Sequence, residues 1–253
     1  MNKEKLKMSR YFLKDSIRKK IDFRFTNQNL GDPVPPIEKA YQKDSKLIDL
    51  SVFDKWENIP RADLTEAIGE RKSHRVYLKE SLSQEELSYL LWCTQGLRGK
   101  VFNGQAYRNV PSAGCRHALE TYLAVFDVDG LDPGIYRYLP ILNQLVFEFS
   151  DDMLAEKITI ASLGQPYPEK SAVTFIWAAI PYRMEWRYGL AAHKVIALDA
   201  GHVCQNLYLA CEAINAGTCA IAAYDQGEFD ELLNLDGEDE FVVYIAPVGK
   251  VRK

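Results

Sequence analysis

The stretch that decides the fold is YRNVPSAGCRHALETYLAVF, residues Tyr107–Phe126, just before the middle of the 253-residue chain. Its first half contains the turn-forming run PSAG, Pro111–Gly114, in which proline fixes one dihedral angle and small side chains leave the backbone nearly bare. Its second half is apolar and rich in β-formers, which predicts a strand from Leu119. The run is therefore either a plain loop entering a strand or a surface against which a flat ring can lie.

The composition excludes several classes of protein. The chain is 47% hydrophobic and 26% charged, as is usual for a soluble globular protein, and its formal net charge is −4. It therefore has no global positive field that would attract nucleic acid, and we expect no nucleic-acid partner. The five cysteines are widely spread without a CxxC pair, which argues against a zinc ribbon or a disulfide framework.

No segment predicts an association with membranes. The longest apolar run, Val173–Ile180, has the length of a strand, and the basic N-terminal residues lack the apolar core of a secretory signal. We therefore expect a cytoplasmic protein with reduced thiols and no membrane partner.

The chain divides by composition near residue 60. Residues 1–60 are polar and contain Pro33, Pro35, Pro36 and Pro60, with one short helical candidate near the start. They predict an extended N-terminal arm that crosses a surface and does not contribute to the core, either embracing a partner subunit or fraying. Residues 61–253 predict one domain.

Helix and strand signals alternate irregularly in that domain, which favours the α+β class over a doubly wound sheet. The helices are recognised by apolar spacing and by a capping box at Ser83 and Glu86. The predicted elements are helices over about 63–73, 83–96 and 199–216, the last ended by Gly217, a hairpin of strands 135–139 and 145–149, and strands over 119–128, 173–180, 218–223 and 241–247.

Several common functional motifs are absent. The sequence has no GxGxxG or GxxxxGK[ST] phosphate loop, no HExxH and no GxSxG. Its four histidines are scattered, without the spacing of metal ligands, so no metal site is predicted.

Three further motifs could bind a ligand. In RKSHR (Arg71–Arg75), two arginines and a serine could place several donors on one phosphate, although such a run is also typical of a solvated helix end. The small residues of Gly217–Ala223 would let a ligand reach backbone amides, or would allow tight packing of a helix on a sheet. The basic C-terminus, Gly249–Lys253, could add phosphate donors or be disordered.

Taken together and in this order, these motifs resemble the nitroreductase family of FMN-dependent oxidoreductases, most closely its SagB-type dehydrogenase branch. The resemblance rests on RKSHR (Arg71–Arg75), RNVPSAGCRHALE (Arg108–Glu120), GHVCQNLYLACEAINAGTCAIAAYD (Gly201–Asp225) and YIAPVGK (Tyr244–Lys250). It covers most of residues 64–253.

The resemblance implies a nitroreductase-like α+β fold, with a mainly antiparallel central sheet flanked by helices. It also implies an interlocked homodimer with FMN at two interfacial sites. The phosphate and ribityl chain would meet the first motif, the ring would lie along the PSAG loop, and backbone amides of the third would approach the flavin N5 edge. The implied cofactor-binding residues are Arg71, Lys72, Ser73, Arg75, Pro111, Ser112, Ala113, Gly114, Cys219, Ala220, Ile221, Ala222, Ala223, Lys250 and Arg252.

The expected reaction is hydride transfer from NAD(P)H to the flavin and then to a small organic acceptor. The alternatives are a SagB-type dehydrogenase or oxidase of a peptide or small molecule, a BluB-like flavin-consuming enzyme, and a non-catalytic flavin-binding subunit. Where the SagB-type branch has a Lys-Tyr pair, this chain has Arg187 and Tyr188. Arginine stays protonated and is a poor base, so Tyr188 is the one candidate for proton transfer and no catalytic residue is assigned.

Overall fold

A seven-stranded antiparallel sheet forms the centre of the computed structural model, which describes residues 2–102 and 104–252. The strand order is β1-β4-β3-β2-β5-β7-β6. The strands are β1 (Leu47–Asp49), β2 (Leu119–Val125), β3 (Gly134–Leu139), β4 (Gln144–Phe149), β5 (Val173–Ala179), β6 (Ala216–Thr218) and β7 (Phe241–Lys250). The α+β class, the antiparallel sheet and the hairpin of β3 and β4 are confirmed.

Helices cover both faces of this sheet. They are α1 (Lys3–Leu13), α2 (Asn27–Leu30), α3 (Leu64–Glu70), α4 (Gln84–Gln95), α5 (Leu154–Ala161), α6 (Tyr182–Tyr188), α7 (Ala192–Ala213) and α8 (Gln226–Leu232). The predicted capping box begins α4, since the Ser83 hydroxyl accepts from the Glu86 amide and the Glu86 carboxylate accepts from the Ser83 amide.

Alternation of side chains along β2 and β5 separates two cores. Both strands are buried throughout and pair along their whole length. Leu123 and Phe175 face the core beneath α4 and α7, whereas Tyr122 and Ile176 face the core beneath α5 and α8. Because both faces of β5 are covered, this strand reads in the sequence as a nearly continuous apolar run.

The long helix α7 differs from its prediction at both ends. It begins at Ala192, well before the predicted Asp199, and it ends at Ala213. Gly217 does not stop the helix but lies within β6; Asn215, with φ of 51°, takes the left-handed conformation just after the helix. The predicted strand over residues 218–223 is also wrong, because regular pairing ends at Thr218.

The N-terminal segment also packs more closely than predicted. β1 extends the sheet by pairing with β4, and Ile37 and Leu50 are buried. Two buried arginines explain this packing, because their guanidinium groups take the carbonyls of the extended chain as acceptors. Arg108 donates to Ile37 O at 2.7 Å, and Arg137 donates to Lys39 O at 2.9 Å and to Ala40 O at 3.0 Å. The boundary at residue 60 stays a prediction.

A buried carboxylate in β2 holds this region together. Glu120 is 3% exposed and accepts hydrogen bonds from Arg183 of α6 at 2.5 Å and from the backbone amide of Lys39 at 2.8 Å. Its second oxygen lies 3.7 Å from Arg137. Glu120 therefore compensates the charges of two buried arginines and joins the N-terminal segment, the sheet and α6.

We predict that Glu120→Ala destabilises the protein by about 3–5 kcal/mol, because removing this partner leaves Arg183 buried without its counter-charge, whereas Arg137 keeps Glu148 at 2.8 Å. The measurement is the free energy of unfolding from urea titration. Asp132→Ala, which removes an exposed pair with Lys46 at 3.5 Å, is the control and should change stability little. Equal effects of the two substitutions would contradict this assignment.

Candidate functional site

Two of the predicted motifs meet through one backbone contact. Ser73 and Thr218 form a parallel β-bridge, and the His74 amide donates to Thr218 O at 2.9 Å. A Cβ added at Gly217 would lie 2.6 Å from the His74 ring, so only glycine allows this approach. The basic motif at residues 71–75 therefore lies beside the small-residue segment that follows β6.

The basic motif presents alternate residues to different surroundings. The Arg71 guanidinium lies over the ring of Tyr208, 5.2 Å from its centroid, and the exposed Ser73 hydroxyl lies 3.0 Å from the Tyr208 hydroxyl. Arg75, also exposed, lies over the ring of Tyr167 at 5.9 Å. Lys72 instead lines a separate groove with Glu70 and Glu212. Three of the four predicted phosphate ligands are thus grouped around two tyrosines, and Lys72 is not.

The segment Cys219–Ala223 is partly committed to internal hydrogen bonds. The Ala220 amide donates to the Tyr208 hydroxyl at 2.9 Å, and the Ile221 amide donates to Ile245 O at 2.8 Å. Ala222 and Ala223 are exposed, and within residues 2–102 and 104–252 their amides have no acceptor. These two amides, on exposed residues, therefore remain available to a ligand.

The loop Pro111–Gly114 lies against the end of α6. Gly114 has φ of 59°, and a Cβ there would lie 2.6 Å from the Tyr188 hydroxyl and 2.7 Å from Arg187 Cδ. The structure thus brings Tyr188 next to the predicted ring-facing loop. Enlarging Gly114 would disturb folding as well as any ligand, since both the dihedral angle and the space require glycine.

The buried carboxyl of Asp199 holds the same loop. Asp199 lies in α7 and is 5% exposed, and its Oδ2 atom has no hydrogen-bond partner in the described part of the chain. Burial raises the pKa of Asp199, and hydrogen bonds from the Ser112 side chain and the Ala113 amide oppose that rise. His202 Nδ1 lies 4.0 Å from its Oδ1 atom. The loop is thus supported by a buried carboxyl whose charged form is disfavoured by burial.

The cations beside the loop have internal partners. Arg108 donates to Gln95 at 2.7 Å, and Arg116 donates to Gly104 O at 2.9 Å and lies over the Trp186 ring. Burial, with Arg108 nearby, lowers the pKa of His117 to about 3, so this side chain is neutral at pH 7. These groups shape the loop and are not its ligand donors.

The C-terminal candidates behave differently from each other. The Lys250 ammonium is bound to the Glu86 carboxylate and to Ile214 O, the latter at 2.8 Å. It therefore ties β7 to the ends of α4 and α7. Arg252 is exposed beyond β7, so its role in binding stays a prediction.

An apolar groove of about 450 Å³ opens beside the free end of the small-residue segment. Ala222 lies on its wall with Val243 and Tyr244 of β7 and Ile196 of α7. Phe12 of α1 closes another side. Such a groove, with exposed amides at its edge, is suited to a flat, largely apolar group.

Neither metal nor membrane features accompany the site. Among residues 2–102 and 104–252, no group of three or more histidine, cysteine or acidic side chains could hold a metal ion. None of the helices that the structure describes is long and apolar enough to cross a membrane.

Comparison with protein-family models decides the family. The model of the nitroreductase family matches residues 68–250, most of the chain. The chain belongs to the nitroreductase family. Members of this family typically use flavin cofactors, so the chain is, in general terms, a flavin oxidoreductase.

A curated relative agrees with this assignment. A Methanocaldococcus jannaschii protein, named as a nitroreductase, is 30% identical over 193 residues, which are 76% of this chain and 93% of the relative. The similarity therefore extends over nearly the whole length of that relative.

Solved structures share the fold. A nitroreductase-like protein from Anabaena variabilis superposes with a TM-score of 0.69 at 24% identity, over 85% of this chain and 43% of that chain, so this chain spans less than half of it. A second nitroreductase-like protein, from Ralstonia eutropha, superposes with a TM-score of 0.64 at 22% identity, over 88% of this chain and 98% of that chain. A chain of the E. coli microcin synthetase McbBCD complex, solved with truncated pro-MccB17 bound, superposes with a TM-score of 0.60 at 16% identity. The superposition covers 81% of this chain and 79% of that chain.

The residues around the basic motif fit the phosphate end of a flavin nucleotide. Arg71, Ser73 and Arg75 supply cationic and hydroxyl donors, which a phosphate prefers. The hydroxyl of Thr218, buried beside Ser73, has no partner in the described part of the chain.

Three site residues of this nitroreductase were not found from the sequence. Tyr208, Tyr167 and Asp199 all contact predicted motifs from distant positions. Ser73 and Tyr208, for example, are 135 residues apart in the chain. No local spacing connects such residues, although an aspartate and a tyrosine within the predicted helix 199–216 are a signal that could have drawn attention to two of them.

We predict that Asp199→Asn makes the protein more stable at pH 7. Because the pKa of Asp199 is raised in the folded state, folding favours the protonated carboxyl. Its contribution to the free energy of unfolding is complete below the unfolded pKa of about 3.9 and is lost as pH rises through the folded pKa. The gain in the free energy of unfolding should therefore disappear at about pH 3. Asp152→Asn, at an exposed carboxylate, should show no such pattern. A variant less stable than wild type at pH 7 would contradict the cost assigned to Asp199.

Proposed function

We propose that this nitroreductase is an FMN-dependent oxidoreductase that takes hydride from NAD(P)H and passes it to a small organic acceptor. The observation that carries the proposal is the meeting of the cationic motif with the small-residue segment. The bridge between Ser73 and Thr218 brings the candidate phosphate donors beside the start of the segment that carries the two available backbone amides, which supports the proposal. An elongated cofactor with an anionic end and a flat end matches that surface.

The phosphate end would be held by Arg71, Ser73 and Arg75. Charge-assisted hydrogen bonds from guanidinium groups are the strong ones, and the two tyrosine rings beneath the arginines reduce their freedom. Lys72 and Lys250 are not part of this set, because Lys72 lines a separate groove and Lys250 is bound to Glu86.

The flat end would lie near the exposed amides of Ala222 and Ala223. When bound, FMN supplies the hydride-transfer chemistry, which no protein nucleophile or metal needs to provide. The chain's own residues would bind and orient the flavin: the two amides would donate to it, and the apolar groove would keep water from the reacting face.

A homodimer would complete the site. Asp199 supports the ring-facing loop and Tyr208 contacts the phosphate segment, nine residues apart on α7 and therefore about 14 Å apart along the helix axis. One subunit thus holds the two halves at different levels of one helix. We infer that the loop Pro111–Gly114 of one subunit faces the phosphate segment of the other, as the family resemblance implies.

A second candidate is oxidation of a peptide or small molecule, with the flavin reoxidised by oxygen or another acceptor. The position of the Tyr188 hydroxyl at Gly114 favours it, because a proton donor or acceptor at the ring-facing loop would serve such a reaction. Arg187 lies at the same glycine but remains protonated and is no base.

Steady-state oxidation of NADH and of NADPH by the FMN-loaded protein tests the proposal, with a quinone and a nitroaromatic compound as acceptors. Turnover that requires both nicotinamide and acceptor supports it. Flavin consumption during repeated reduction and re-aeration would point to a BluB-like reaction. No turnover with either nicotinamide would contradict the proposal. The remaining alternatives would then be the second candidate and a non-catalytic flavin-binding subunit.

We predict that Ala113→Val weakens FMN binding by about tenfold or more while the protein still folds. The added methyl groups would occupy the bare face against which the ring lies, a steric cost of about 1–3 kcal/mol. Fluorescence titration with FMN measures binding, and urea unfolding measures stability. Ala155→Val, on an exposed position of α5, is the control and should bind FMN normally. Normal FMN affinity in the Ala113 variant would contradict this assignment and mean that residues 111–114 form an ordinary loop.

A further inference from the structure

We propose that Tyr208 is a positioning residue for the cofactor phosphate, acting by fixing the direction of the Ser73 hydroxyl proton. This inference rests on the proposed function and goes beyond the residues that the family resemblance implies. Tyr208 is half-buried in α7, and its hydroxyl touches both of the motifs that the Ser73–Thr218 bridge brings together.

The hydrogen bonds at the phenol oxygen determine where its proton goes. The Ala220 amide, 2.9 Å away, can only donate, so the Tyr208 oxygen is the acceptor in that bond. The remaining neighbour is the Ser73 hydroxyl oxygen at 3.0 Å, which can accept the phenol proton. Either oxygen of this pair could be the donor; since the Tyr208 oxygen already accepts from Ala220, the proposed direction is from Tyr208 to Ser73.

This direction has a consequence for Ser73. Once its oxygen accepts from Tyr208, the serine's own proton must point elsewhere. Ser73 is exposed, and the guanidinium groups of its neighbours Arg71 and Arg75 are donors without an acceptor. The free proton is therefore available to an anion that the two guanidinium groups attract, and a phosphate oxygen is such an acceptor.

The ring of Tyr208 contributes separately from its hydroxyl. The Arg71 guanidinium lies over the ring face at 5.2 Å, a cation–π contact that keeps this donor close to Ser73. Replacing tyrosine by phenylalanine keeps the ring and removes only the hydroxyl, so the two contributions can be separated.

The experiment measures dissociation constants for FMN and for riboflavin, which lacks the phosphate, by quenching of flavin fluorescence. The variants are Tyr208→Phe, Ser73→Ala and the double variant. We expect each single change to raise the Kd for FMN about fivefold, the effect of one net hydrogen bond. The double variant should be no weaker than Ser73→Ala, because both changes remove the same donor. Riboflavin binding should be unchanged in all three.

Tyr136→Phe is the matched control. Its hydroxyl donates to Asp132 O at 2.7 Å beside β3, and the variant should bind FMN as wild type does. Additive effects of the two changes, equal losses for FMN and riboflavin, or normal FMN affinity in Tyr208→Phe would each overturn the inference. A wild-type protein that binds neither flavin would instead overturn the proposed function.

Discussion

The candidate site depends on the contact between the basic motif and the end of β6. The bridge of Ser73 to Thr218 joins a loop after α3 to a segment nearly 150 residues later, and it exists because Gly217 leaves room for the His74 ring. Without this contact, the arginines would be surface charges and the small-residue segment a tightly packed turn. With it, the arginines and the serine of the motif lie beside the segment that carries the available amides of Ala222 and Ala223.

Helix α7 is the common support of all the parts of the site. Its Tyr208 contacts the phosphate segment and Ala220, and its Asp199 supports the ring-facing loop. The charged form of Asp199 lowers the free energy of unfolding, since burial disfavours its charge. Asp199 and Tyr208, nine residues apart, lie half a turn from each other around α7, so this one helix supports the ring-facing loop on one side and the phosphate segment on another.

The sequence predicted most of the fold because the relevant signals are local. The capping box of α4, the hairpin of β3 and β4, and the apolar run of β5 all lie within short windows, and all are confirmed. The start of α7 was predicted too late because Ala191 caps the helix without a side-chain hydrogen bond, so no polar residue marks the boundary.

Features that depend on distant contacts were not predictable. The N-terminal segment docks through its backbone carbonyls, which every residue has, so nothing in residues 37–40 distinguishes them from a free arm. Lys250 is basic and ends strand β7, where a phosphate ligand could lie, but Glu86 of the α4 cap binds it. Motif order revealed the family, whereas the partners of individual side chains required the three-dimensional arrangement.

Anaerobic rapid mixing of the FMN-loaded protein with NADH and then with NADPH tests the central claim most directly, with the visible absorbance of the flavin as the signal. The account predicts full bleaching of that absorbance by at least one nicotinamide, followed by its return when an organic acceptor is added. Flavin that stays oxidised with both nicotinamides, while dithionite reduces it, would contradict the account.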